Sequence, residues 1–258
     1  MSVTAETRAS ALQVTWDRQA RRNAWDLKTM TEIADAIEGA DGVRCVVLRG
    51  AGEHWSAGDD LHAALEATKE TWTETIEAFQ RLTRVVLASP LPVLCAIDGW
   101  CVGGALEFSA SCDLRVCTDR VRLLTPEVNI GFVFSNGAAF FLPHVLGETR
   151  ARELLLTGQP RDIAWAHGFA NQVVAAGELE AAVEHWVSEL SGPGGDAIAA
   201  TKRILNERYG DLMEATLRRE ARWCIDLYDG AEARAALTAF RERRSSHPQD
   251  SSRGGPAQ

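Results

Sequence analysis

The chain predicts a mixed α/β body followed by a run of helices, and two observations carry that prediction. Up to Leu190, short apolar runs alternate with longer amphipathic segments. A glycine- and proline-rich break, Ser191-Gly192-Pro193-Gly194-Gly195, is then followed by segments with helical periodicity alone. In order, Ala11 to Trp16 and Arg44 to Arg49 read as strands. Between them Leu27, Met30, Ile33, Ala34 and Ile37 fall on one face of a helix spanning Leu27 to Glu38. A second helix is predicted over Thr71 to Ala88. Leu91 to Ile97 reads as a buried strand that ends at the Asp98-Gly99 turn. From Gly104 the apolar spacing becomes helical, with Ala105, Phe108 and Cys112 in phase. Beyond the break, helices are expected over Ile198 to Tyr209, Leu212 to Tyr228 and Ala231 to Arg243. The polar, Gly-, Pro- and Ser-containing end from Ser245 to Gln258 is expected to be disordered. The chain therefore divides into a body (1–192), a helical region (193–244) and a tail (245–258).

Composition narrows the functional classes. A chain of 258 residues with 46% hydrophobic content buries one substantial core. The net charge of −9 argues against a nucleic-acid surface. No apolar run reaches about 18 residues and no signal-peptide pattern opens the chain, so a soluble, cytoplasmic protein that makes no membrane contact is expected. The six cysteines form no CxxC pair and read as buried free thiols. The histidines are dispersed, and no metal is expected. The absence of G-x-S-x-G argues against a serine hydrolase of the nucleophile-elbow type.

The chemistry concentrates in Ile97-Asp98-Gly99-Trp100-Cys101-Val102-Gly103-Gly104-Ala105-Leu106-Glu107 and, twenty positions on, Pro126-Glu127. Gly103 and Gly104 lie at a helix N-terminus, where unpaired N–H groups and the helix dipole stabilise an anion. Glycine lets a ligand approach the main chain closely. Glu107 lies one turn into that helix, and Glu127 supplies a second carboxyl. Taken singly, Glu107 reads as a solvated helix residue and Glu127 as a turn or cap carboxylate. Together with the free amides they suit oxyanion stabilisation coupled to proton transfer.

These residues resemble the enoyl-CoA hydratase/isomerase, or crotonase, superfamily, in the family's order and through most of the chain. Arg21-Arg22-Asn23-Ala24 is similar to its strand-to-helix junction, and His54-Trp55-Ser56-Ala57-Gly58-Asp59-Asp60-Leu61 to its F-C-A-G-A-D-L element. Val102 to Glu107 is similar to L-G-G-G-C-E, Cys112 to Val116 to C-D-I-R-x-A, and Pro126-Glu127 with Gly131 to P-E-x-x-L-G. Phe141 to Gly147 and Leu155 to Gly158 follow where the family has its next elements. The resemblance implies a crotonase-like (ClpP/crotonase) spiral of ββα units with a C-terminal helical trimerisation region, assembled as a homotrimer or homohexamer. It implies an acyl-CoA substrate, with CoA entering as part of that substrate and no separate cofactor. By the same resemblance, the backbone N–H groups of Asp59 and Gly104 form an oxyanion hole. Arg22, Ala24, Ala57, Asp60 and Leu61 contact CoA, and Trp100, Phe132 and Phe134 line the acyl pocket. Glu107 and Glu127 act as acid and base in hydrating 2-enoyl-CoA to 3-hydroxyacyl-CoA, or in the reverse reaction. An enoyl-CoA isomerase, or another CoA-thioester reaction such as C–C bond hydrolysis, is the alternative; a non-catalytic or RNA-associated role is more remote.

The chain departs from the family pattern in three places. Phe132 to Phe141 replaces a proline and glycine-rich stretch, and Ala105 stands for the third glycine. Asp59 occupies the usual place of a small residue, and its carboxylate is expected to face solvent or a cation.

Overall fold

The structure is a computed structural model that describes residues 2–208 and 210–246. Its larger sheet has six strands in the spatial order β1 (Val3–Arg8), β2 (Ala11–Trp16), β3 (Cys45–Gly50), β4 (Val93–Ile97), β6 (Leu114–Thr118) and β9 (Gln172–Val174). The β1–β2 pair is antiparallel and every other neighbour is parallel. Parallel neighbours require crossovers, and helices supply them. Helix α1 (Leu27–Glu38) joins β2 to β3, and α2 (Leu61–Glu66) with α3 (Lys69–Ala88) joins β3 to β4. Asp26 caps α1 by accepting the Thr29 N–H, and Met30, Ile33, Ala34 and Ile37 are buried on the predicted face. Helix α3 begins two residues earlier than the periodicity indicates, because Thr68 and Thr71 form a reciprocal cap.

After β4 the Asp98-Gly99 turn sends the chain into a second sheet, formed by β5 (Trp100–Val102), β7 (Arg122–Leu124) and β8 (Arg161–Asp162). The segment read as ending at Gly99 thus continues as a short strand before helix α4 (Gly103–Ser111). The same strand-strand-helix unit recurs in β6, β7 and helix α5 (Ala138–Leu146), with a 3₁₀ turn at Glu127–Ile130 between β7 and α5. This is the spiral of ββα units that the sequence resemblance implies. Beneath α4 the rings of Trp16, Trp25, Trp55 and Phe108 meet edge to face, with centroids 4.6 Å apart for Trp16–Trp55 and 5.6 Å for Trp25–Phe108.

Helices α6 (Glu148–Thr157) and α7 (Leu179–Leu190) complete the body, and α8 (Gly195–Glu207), α9 (Gly210–Tyr228) and α10 (Ala231–Ser246) follow. Ser245 and Ser246 close α10; the rest of the stretch expected to be disordered lies outside the described residues. Helices α9 and α10 pack back on the body. Cys224, Tyr228, Ala233 and Leu237 share an apolar cluster with Ala64, Trp72, Ile76 and Phe132. The Tyr228 hydroxyl donates to the carbonyls of Ala64 and Ala67, and its ring stacks on Trp72 at 5.1 Å. All six cysteines are free and buried. Among the described residues no helix is long and apolar enough to cross a membrane, and no group of three or more His, Cys, Asp or Glu is placed to hold a metal ion.

Candidate active site

Two backbone segments meet at the start of α4. Ser56 bridges to β5: its N–H donates to the Trp100 carbonyl at 3.0 Å, and the Val102 N–H donates to the Ser56 carbonyl at 3.1 Å. Both glycines that follow are held left-handed, Gly58 at φ +82° and Gly103 at φ +55°. A Cβ on Gly58 would lie 2.8 Å from the Val102 carbonyl oxygen, and one on Gly103 would lie 2.8 Å from Oε1 of Glu127. At Gly58 the clash is with main chain, so only glycine fits; at Gly103 a side chain would be strained and would displace the Glu127 carboxyl. On its other side, the Gly58–Asp60 turn is tied to Trp25. The Trp25 N–H donates to the Gly58 carbonyl at 2.8 Å and the Asp60 N–H to the Trp25 carbonyl at 2.9 Å. The intervening Asp59 N–H has no acceptor among the described residues. Gly104 lies in the first turn of α4, where N–H groups have no intrahelical acceptor.

The carboxyls gather around this frame. All nine residues of α4 are buried, so Glu107, at 1% exposure, is an acid inside the core and not a solvated residue. Its Oε2 accepts the N–H groups of Asn136 at 2.6 Å and Ser135 at 3.1 Å. Burial pushes its carboxyl up to about 7, against the pull of those amides. Glu127 opens the 3₁₀ turn, with Oε1 against Gly103 and Oε2 buried without a partner among the described residues. Burial, and then the charge of Glu107, hold its carboxyl well above the usual range.

Asp59 is half-buried: its Oδ1 is buried without a partner among the described residues, and the residue lines a cavity together with the exposed Lys28. Burial first, and then the charges of Glu107 and Asp60, push its carboxyl up to about 8. The neighbouring cation, Arg18, is already shared between Asp60 at 2.9 Å and Asp26 at 3.0 Å.

A further buried acid was not among the sequence candidates. Glu220, on α9, accepts the N–H groups of Gly137 and Ala139 at the start of α5. Glu107 and Glu220 therefore both hold the Ser135–Ala139 turn. Burial and the Glu107 charge push Glu220 up to about 8. A signal was present: Leu217, Glu220, Cys224 and Tyr228 recur on one helical face, and all four are buried. One charge on an otherwise apolar stripe marks a buried acid.

The predicted CoA contacts form one connected unit. Arg22, in a left-handed conformation, accepts the Ala57 N–H on its carbonyl, and the Ala24 carbonyl accepts from the Arg18 guanidinium. Asp60 caps α2 through the His62 N–H, and Leu61 begins that helix. The predicted acyl-pocket residues separate. Phe132 packs with Trp72 and Tyr228 against α9, Phe134 packs on the main core, and Trp100 is half-buried on β5. A cavity of about 300 Å³ lies between the start of α1, helix α2 and the start of α3, with Trp25, Lys28, Asp59, Asp60, Ala64 and Trp72 in its wall; Glu107 and Glu127 do not line it.

Known proteins share this arrangement of elements. The carnitinyl-CoA dehydratase of Proteus mirabilis is 31% identical over 204 residues, 77% of this chain and 77% of that protein. The 4-chlorobenzoyl coenzyme A dehalogenase-2 of an Arthrobacter species is 29% identical over 248 residues, 90% of this chain and 88% of that protein. The crystal structure of an enoyl-CoA hydratase from Bacillus halodurans superposes with a TM-score of 0.86 at 23% identity, over 93% of this chain and all of that one, and shares the fold. The profile of the family described as enoyl-CoA hydratase/isomerase matches residues 6–251, and with that match over nearly its whole length the chain belongs to this family.

Proposed function

We propose that the chain adds water to 2-enoyl-CoA thioesters, or removes it from 3-hydroxyacyl-CoA, with Glu107 and Glu127 as the acid/base pair. The observation that carries this reading is the pair itself: the buried Glu107 on α4 and the half-buried Glu127 on the following 3₁₀ turn, whose Oε2 is buried, beside unpaired main-chain amides. Their environments differ, which separates their roles. Two amide donors favour the ionised form of Glu107, and the undonated Oε2 of Glu127 favours the protonated form. Glu107 takes a proton from water as its oxygen bonds to Cβ, and Glu127 delivers a proton to Cα. A proton returning from Glu107 to Glu127 resets the site. Charge that develops on the thioester oxygen is stabilised by the N–H groups of Asp59 and Gly104, each such donor contributing about 10²–10³ in rate. The carnitinyl-CoA dehydratase relative, at 31% identity, supports a reaction of this type. Isomerase chemistry needs one proton-shuttling carboxyl, so two retained carboxyls favour hydration.

The test is the absorbance of the conjugated enoyl thioester. Loss of the band with 3-hydroxyacyl-CoA as product is expected, and Glu107→Gln and Glu127→Gln are each expected to lower kcat by about 10²–10⁴ while leaving CoA-ester binding largely intact. Weakened binding at unchanged kcat would remove both residues from the chemistry. A bound ester whose double bond migrates without hydration would assign the isomerase reaction instead.

We also propose a homotrimer or homohexamer. Ile204, Leu205, Leu212 and Trp223 on α8 and α9 are between 53% and 67% exposed, an apolar surface that neighbouring copies would cover.

A further inference from the structure

The Ser135–Ala139 turn is held by two buried acids from different helices. Oε2 of Glu107 on α4 accepts the Ser135 N–H at 3.1 Å and the Asn136 N–H at 2.6 Å. Glu220 on α9 accepts the next pair, Gly137 on Oε2 and Ala139 on Oε1, the latter at 2.8 Å. Glu107 is 1% exposed and Glu220 is 5% exposed. Helix α9 is itself pinned to α3. Gln80 donates through Nε2 to the Leu217 carbonyl at 2.7 Å and to the Ser135 carbonyl at 2.8 Å, and Arg84 pairs with Glu214 at 2.7 Å. Thr83, also on α3, donates its hydroxyl to Oδ1 of Asn136 at 2.7 Å. Asn136 and Gly137 are joined by one planar peptide, so displacing the amide held by Glu220 displaces the amides held by Glu107. A neutral Asn or Ser side chain would cap α5 without burying a charge, and a buried carboxyl costs more than a neutral acceptor. The acid at 220 therefore calls for a role beyond closing that helix.

We propose that Glu220 is a positioning residue for Glu107: by fixing Gly137 and Ala139 it sets the Ser135 and Asn136 amides that orient the Glu107 carboxyl for proton transfer. The inference rests on the acid/base reading above and adds to it a residue that acts through Glu107. Loss of the acceptors at 220 leaves CoA-ester binding in place and misplaces the base, and a small misplacement of a catalytic group costs up to about 10² in rate.

The test compares steady-state hydration of the 2-enoyl-CoA ester that the wild type turns over fastest in wild type, Glu107→Gln, Glu220→Gln and the double variant, each at a temperature where circular dichroism shows it folded. Glu220→Gln keeps the shape but leaves one acceptor oxygen for two N–H groups. It is expected to lower kcat at least about tenfold with KM within about threefold of wild type, and to add no further loss in the Glu107→Gln background. A cap that only holds the fold lowers both backgrounds alike. Lys202→Met, which removes the Lys202–Asp113 pair that anchors α8, controls for lost stability and is expected to keep wild-type kcat. Should Glu220→Gln not fold, Thr83→Val loosens the same turn from α3 and is expected to lower kcat only where Glu107 is present. Unchanged kcat in the folded variant of the two, or equal losses in both backgrounds, overturns the inference and leaves the acid/base reading standing. If Glu107→Gln itself keeps wild-type kcat, or the wild type hydrates no 2-enoyl-CoA ester, both fail together.

Discussion

Asp59, Glu107 and Glu220 are held at about 8, about 7 and about 8, by burial first and, for Asp59 and Glu220, by the nearby Glu107 charge. In the unfolded chain these groups ionise near ordinary carboxylate values, so above that range the folded chain retains protons that the unfolded chain has released. Unfolding then releases protons, and stability falls as pH rises until the folded-state values are passed. Melting temperature is expected to decline between about pH 5.5 and about pH 8.5, and Asp59→Asn is expected to flatten the decline. A melting temperature that climbs over this interval would mean that the three carboxyls are ionised and stabilised in the fold. Glu107 and Glu127 were legible in the sequence because glycines and a proline stand beside them at fixed spacing. The direction of the Asp59 side chain was not legible, because the bridge to Trp25, thirty-four positions earlier, sets it.

At the scale of elements, the start of α5 depends on an acid from another helix. Gly137 offers no capping side chain, and Glu220 supplies the acceptors. Glu220→Gln keeps the shape but leaves only one acceptor oxygen for two buried N–H groups. It is expected to cost about 1–3 kcal/mol in chemical denaturation, and an unchanged midpoint would mean that the turn holds itself. Element legibility followed periodicity. Helix α1 matches the sequence reading at both ends, because five apolar positions fall on one face and Asp26 caps it. Strand β1 escaped the reading because only Val3 of its six residues is buried, leaving no apolar alternation. Strands β5 and β7, three residues each, are too short to carry a period; the turn and the second sheet define them.

Across the whole molecule, the C-terminal helices do two things that the chain order does not reveal. Helix α9 delivers Glu220, Cys224 and Tyr228 to the site, and Lys202 of α8 pairs with Asp113 at 2.7 Å, anchoring that helix to the body. Trp223, on the flank of α9 beside the buried stripe, is 61% exposed. Trp223→Glu is expected to shift sedimentation from a threefold multiple of the 28.1 kDa chain toward a single chain. An unchanged sedimentation coefficient would place the subunit interface elsewhere. The sequence by itself determined what depends on near neighbours: the α/β body, the glycine turns, the exposed amides and the two glutamates set against them. Only the tertiary structure decided which way Asp59 faces, that Glu220 shares the Ser135–Ala139 turn with Glu107, and that Phe132 and Phe134 pack in different clusters. The physical reason is separation along the chain. These features arise where distant segments bury one another's polar groups, such as the 83 positions between Gly137 and Glu220, and no local pattern of residues encodes such a meeting.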